Sequence, residues 1–201
     1  MEVRHGQIVD GHLGGYVPGG DPNTTYPALW EWLVRKQGVR SVLDVGCGDG
    51  KGALDYFERL GCDVVGIDGV PQNDDRIACH DFATGPWPVK GNRVEGAYDL
   101  VWSCEFVEHV DERHVPHFLD TFHAAPLVLL THALPGQPGH HHVNCRHSEY
   151  WIGALAAVGY RLDCELTQKT RNLAVSEKTI EPNANYFALT GLAFRRPGSD
   201  G

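Results

Sequence analysis

The chain has 201 residues, 42% of them hydrophobic and 21% charged, with a formal net charge of -9. That length supports one domain with its own apolar core, without disulfides or metals as staples, and the acidic balance argues against a chain that finds nucleic acid by phosphate attraction. The six cysteines form no CxxC pair, no apolar run reaches membrane-spanning length, and the N-terminus carries none of signal-peptide length, so reduced thiols in a cytoplasmic setting are the expectation.

The first two dozen residues are rich in Gly, Pro and Asp and predict an irregular arm or lid over 1–25. Thr24 or Thr25 is placed to cap a helix opening at Tyr26-Pro27, where proline's missing N–H does no harm. Leu29, Trp30, Leu33 and Val34 give that helix an apolar stripe, and Gly38 stops it. "VRSVLDV" reads as a strand, "GKGALDYFERL" as a helix closed by Gly61, "CDVVGID" as a second strand and "RIACHDF" as a short third. Beyond the Pro/Gly-rich "TGPWPVKGN", "AYDLVWS" is a fourth strand. "DERHVPHFLDTF" is helical, with Pro116 at its start or at a kink.

"PLVLLTHAL" is a fifth strand, apolar throughout as a strand buried on both faces must be. A His-rich loop leads into the helix "SEYWIGALAAVG"; "YRLDCEL" and "NYFALTGLAFRR" predict two further strands, and the tail 196–201 is expected to be loose. Strands alternating with helices specify one doubly wound α/β domain over 1–201, with its ligand beyond the C-terminal ends of the strands.

The stretch "SVLDVGCGDG" ends a strand in three closely spaced glycines. It is not a P-loop, because Val45 stands where the first Gly should and Gly52 where the hydroxyl should. It reads GxGxG rather than GxGxxG, and Asp49 is a poor neighbour for a pyrophosphate. A ligand that approaches the backbone closely, carries positive charge and lacks phosphates fits better, and S-adenosylmethionine is such a ligand. Gly46, Cys47 and Gly48 would lie against it, and Asp44 would help hold its ammonium end or cap the following helix. Asp68, with Gly69 after it, closes the second strand where a carboxylate can accept from both ribose hydroxyls. Asp81 closes the third, where it can accept from the adenine amine while Phe82 packs on the ring.

The order LDVGCGDG, VVGID, HDF and "YDLVWSCEFVEHV" resembles the class I S-adenosylmethionine-dependent methyltransferases, nearest the broad methyltransferase type 11 group with its S-x-E-x-x-E-H-[VI] segment. The resemblance implies a seven-stranded sheet with an antiparallel last strand and a Rossmann-like fold. It also implies the methyl-donating cofactor, its product S-adenosylhomocysteine, and a lid to which Tyr16 and Tyr26 would belong. Ser103, Cys104 and Glu105 would lie near the methionine moiety or the acceptor.

An oxygen or nitrogen nucleophile must lose its proton, and histidine suits that task. His109, His132, His141 and His142 are the candidates, with Glu105 beside them and Glu108 able to orient an imidazole. Trp87, Trp102, Tyr150 and Trp151 would form an apolar wall or simply belong to the core. Adjacent histidines at 140, 141 and 142 cannot all converge on one centre, and "THALPG" brings no carboxylate, so no metal is expected. The expected acceptor is a small molecule such as a sugar or another metabolite, and the protein a monomer or homodimer. An RNA (cap or transfer RNA) acceptor, a silent protein that binds the cofactor or its product, and a dehydrogenase are the rivals.

Overall fold

The computed structural model describes residues 2–4, 7–9, 11–87, 96–177 and 185–198. Part of the Pro/Gly-rich loop and the last three residues of the tail lie outside them. A seven-stranded sheet forms the centre, in the order β5-β4-β3-β6-β7-β9-β8, from β3 (Ser41–Val45), β4 (Asp63–Asp68), β5 (Ile77–Cys79), β6 (Leu100–Ser103), β7 (Leu127–Leu130), β8 (Arg161–Leu162) and β9 (Leu192–Arg195). The pairs from β5 through to β7 are parallel, whereas β9 runs antiparallel to both β7 and β8. This is the α/β Rossmann-like arrangement, with its last strand reversed, that the sequence led us to expect.

Successive residues of the central strands bury themselves on opposite faces, as the period of two requires. Val42, Leu100, Trp102, Leu127, Leu129 and Ala193 face one core. It is closed by α1 (Pro27–Lys36), α2 (Ala53–Arg59), α5 (Cys164–Glu177) and α6 (Tyr186–Thr190). Leu43, Val101, Val128, Leu130, Leu192 and Phe194 face the other, closed by α3 (Val115–Phe122) and α4 (Ser148–Ala157). None of the described helices is long and apolar enough to cross a membrane.

Four local expectations are corrected by the structure. Helix α1 is capped by neither threonine: the hydroxyls of Thr24 and Thr25 donate to the Asp21 carbonyl, and Tyr26 occupies the cap without a side-chain bond. The arm is not wholly irregular, since β1 (Glu2–Arg4) and β2 (Gln7–Val9) pair as a short antiparallel hairpin. "YRLDCEL" is extended only at β8, because the Asp163 carboxylate accepts from Leu166 N at 2.9 Å and starts α5 one residue later. "NYFALTGLAFRR" likewise begins as α6, with Asn185 accepting from Ala188 N, before Gly191 releases it into β9.

The first core is built on aromatic rings. Trp102 lies parallel on Phe187, centroids 5.2 Å apart, with Trp30, Tyr26 and Phe57 around it. Trp102→Ala should lower unfolding free energy by about 3–5 kcal/mol in urea denaturation; a loss under about 1 kcal/mol would show that the stack is not what joins α6 to the sheet.

Candidate active site

Strand β3 delivers its chain to α2 on one face, and its neighbour β6 delivers its chain to α3 on the other. A crevice opens at such a switch point, outside the carboxyl ends of the strands. The glycine turn forms its floor. Gly46, Gly48 and Gly50 have φ of +82°, +58° and +75°, values that a side chain would strain. Gly46 N and Cys47 N donate to the Ile67 carbonyl, and Gly48 N donates to Asp68 Oδ2 at 2.9 Å while Val70 N donates to Oδ1. Asp68 therefore clamps the turn to the end of β4.

The space left by the missing side chains is partly filled from within. A Cβ on Gly46 would meet the Phe106 ring at 2.5 Å, and one on Gly48 would meet Tyr16 at 2.9 Å. Alongside runs a cavity of about 530 Å³, within the roughly 300–1,000 Å³ of small-molecule sites. Asp68, Gly69, Asp81 and Phe82 line it, and so do Glu105, His109 and His142. Arg113 is the one guanidinium in this lining, which has no lysine. Two carboxylates at neighbouring strand ends, a floor without Cβ atoms and this dearth of cations fit an adenosine-bearing sulfonium and do not fit a pyrophosphate.

Several residues singled out in the sequence meet here: Gly46, Cys47, Gly48, Asp68, Gly69, Asp81, Phe82, Glu105, His109, His141 and His142 all line the cavity. Four do not. Asp44 is buried behind the turn, its carboxyl raised to about 8 by burial and then by the charge of Asp68. Ser103 is buried and donates to the Val45 carbonyl. Tyr26, expected in the lid, is a core residue whose hydroxyl donates to Asn23 O and accepts from Phe187 N. His132 is buried beside Ser148 Oγ, at 3.0 Å from Nε2, and burial holds its imidazole down at about 4. Trp102 and Trp151 are core as well.

His12 and Phe106 are among the lining residues that carried no expected role in the sequence. His12 reaches from the arm to Asp81 Oδ2 at 3.0 Å, a contact 69 residues apart that no local pattern announces. Phe106 sits in the noted "CEFVEH" segment, but its place over Gly46 follows from the turn after β6. Glu105 and His141, both in the cavity wall, are the described non-glycine residues with positive φ, at 52° and 46°; such conformations persist where the surroundings impose them. Here Glu105 N donates to the Thr131 hydroxyl at 2.7 Å, and that hydroxyl donates back to Glu105 Oε1 at 2.8 Å.

The three consecutive histidines diverge, as adjacency requires. His140 Nε2 faces Leu13 O, the His141 ring tilts against His12, and the His142 ring stands edge-on to His109 at 4.9 Å. Burial, then the neighbouring His142, keeps His109 down at about 4. Burial raises Glu105 to about 7 against the pull of the Thr131 hydroxyl, and raises Glu108 well beyond the ordinary carboxyl range.

The profile of the methyltransferase domain family matches residues 25–165. A sphingolipid C9-methyltransferase of Gibberella zeae is 33% identical over 99 residues, covering 41% of this chain and 18% of the relative. That of Candida albicans is 30% identical over 95 residues, covering 39% and 18%. The chain thus spans less than a fifth of the length of these curated relatives. A sugar N-methyltransferase of Streptoalloteichus sp ATCC 53650 superposes with a TM-score of 0.60 at 13% identity over 98% of each chain. The 1,6-didemethyltoxoflavin-N1-methyltransferase of Burkholderia thailandensis, solved with its acceptor and S-adenosylhomocysteine, gives 0.55 at 14% identity over 84% of this chain and 76% of that one. At these identities the likeness of structures is one of fold.

Asp44 yields a prediction about pH. Its folded-state pKa is raised, so the stability associated with its neutral form is full below about pH 4 and is lost as pH rises through about 8. Asp44→Asn, which cannot ionise, should gain on the wild type by about 2 kcal/mol or more between pH 4 and pH 9 in urea titrations. A difference that does not change with pH would remove Asp44 from the buried, titrating groups.

Proposed function

The chain belongs to the methyltransferase domain family, enzymes that draw their methyl group from S-adenosylmethionine, and we propose that it transfers that group to an oxygen or nitrogen of a small-molecule acceptor. One observation carries the reading. A single cavity connects the carboxylates Asp68 and Asp81 to a wall of Glu105, His109 and His142. The acids suit the ribose hydroxyls and the adenine amine, and the wall suits an acceptor that must give up a proton.

When bound, the cofactor supplies an electrophilic methyl on a sulfonium. The protein's part is alignment, exclusion of water and proton removal. Asp68 already accepts from Gly48 N and Val70 N, which fixes its carboxylate for the ribose. On the wall, Glu105, His109 and His142 are the groups able to take the acceptor's proton. The arm contributes Leu13 and Tyr16 over Gly69 and Gly48 and excludes water from above. Six free cysteines suit a reducing, cytoplasmic compartment.

A lipid acceptor is the second reading, favoured by the identity to the sphingolipid enzymes. The carboxylate and imidazoles at the acceptor end favour a hydroxyl or amine instead. Tritium transfer from methyl-labelled S-adenosylmethionine to a panel of sugars, amines and ceramides separates the two. Label in the ceramides alone would overturn the first reading.

Asp68→Ala should weaken S-adenosylhomocysteine binding by about tenfold or more in calorimetric titration. A folded variant with unchanged affinity would overturn the ribose assignment.

A further inference from the structure

Glu108, His109 and His142 each offer a ligand atom, and these atoms lie within 4.8 Å of one another. We infer that the three side chains form a binding site for a divalent first-row transition metal ion, open toward the cavity. The inference uses no property of the methyl donor, and it runs against the expectation from sequence that no metal is held.

The carboxylate is the first argument. Glu108 is fully buried, and neither of its oxygens has a hydrogen-bond donor among the described residues. A buried carboxylate without a donor is costly. Its close neighbour is another acid, Glu105, whose charge opposes that of Glu108. Such a pair lacks a cation: either a proton shared between the carboxyls or a metal ion beside them.

The imidazoles are the second. His109 Nδ1 lies 2.7 Å from His140 O, and His142 Nδ1 lies 3.1 Å from Gln137 O. With Nδ1–H donating to a carbonyl, Nε2 is the atom each ring keeps for a ligand. This is the outer-shell arrangement that orients ligating histidines.

The backbone is the third. The Glu108 carbonyl accepts from Val143 N at 3.1 Å and Asn144 N at 3.0 Å, so the turn after β6 and the His-rich loop are pinned together where the ligands meet. The obstacle seen in the sequence is thereby removed. One histidine of the three consecutive ones is needed, and the carboxylate comes from a different loop.

Two imidazoles and one carboxylate suit zinc, ferrous iron, cobalt or manganese better than calcium or magnesium. A tetrahedral shell with bonds of about 2.0–2.1 Å asks for roughly 3.3 Å between ligands, so closure needs side-chain movements of about 1 Å. His109 and His142 line the cavity, so an ion held by them would lie at its wall. If the reading of the preceding subsection holds, an acceptor oxygen completes the shell there, and Glu105 is left as the group that takes its proton.

The test uses the full chain, stripped with a chelator and titrated with zinc chloride by calorimetry, then with cobalt(II) followed by its ligand-field absorption. One ion per chain in the micromolar range or tighter is expected. His142→Ala, on a half-exposed loop, and Glu108→Gln, which keeps the shape of the buried side chain, should each weaken zinc by about tenfold or more and alter the cobalt spectrum. Both variants should keep the melting temperature of the metal-free wild type or exceed it. Zinc binding that is absent, or equally tight in both folded variants, would overturn the site and leave the shared proton as the answer to the buried pair. S-adenosylhomocysteine titrations on the same samples keep the two proposals apart: Asp68→Ala should lose the nucleoside and retain zinc, and His142→Ala the reverse.

Discussion

The crevice depends on one topological constraint. Strands β3 and β6 are hydrogen-bonded neighbours running the same way, yet their chains leave for opposite faces of the sheet. No backbone can cover the edge between them, so the loops after β3 and β6 must part there. The glycine turn is one of those loops, and the Glu105–His109 segment is the other. The parallel sheet can hold this geometry because both its faces are sealed by apolar cores, which leaves the ends of its strands as the accessible places.

The charge lining that crevice is mostly negative, Arg113 apart. Asp68, Asp81 and Glu105 line the cavity, with Asp44 and Glu108 buried behind its walls. The few donors that face them are spoken for: Gly48 N and Val70 N on Asp68, Ala83 N and the His12 ring on Asp81, and the Thr131 hydroxyl on Glu105. Burial first, and neighbouring carboxylates after it, raise the carboxyl pKa values of Asp44, Glu105 and Glu108. A site so arranged stabilises a ligand that brings a cation with it. Both a sulfonium with its ammonium and a divalent ion answer that description.

Much of this was written locally in the sequence, and some of it could not be. The apolar runs in "VRSVLDV" and "PLVLLTHAL" read as buried strands, and they supply residues to both cores. The spacing from the glycine turn to Asp68 and Asp81 follows from strand order. By contrast, the start of α5 hinges on one capping carboxylate, Asp163, inside a stretch whose apolar pattern favours a strand. His132 ends a strand as a catalytic histidine would, but its ring turns into the core toward Ser148. Periodicity says which residues end a strand, not which way the last side chain turns. The Glu108–His109–His142 cluster lay hidden for a related reason. It joins residues more than 30 positions apart through the backbone bonds of Glu108 O, and contacts at that separation leave no periodic trace.

The arm makes the crevice a shared space rather than an open one. His12 occupies Asp81 Oδ2, Leu13 lies where a side chain on Gly69 would be, and Tyr16 packs on Gly48. Gly19 N donates to Asp49 Oδ2 at 2.6 Å, and Leu13 O faces His140 Nε2 at 3.0 Å. The arm is thus fastened to Asp49 and Asp81 and to the His-rich loop. Asp81 takes Ala83 N on one oxygen and His12 on the other, and each oxygen keeps a further lone pair, so a ligand amine placed on that carboxylate would share it with His12. Arm, acids and His-rich loop therefore border one and the same cavity, and whatever enters it meets all three.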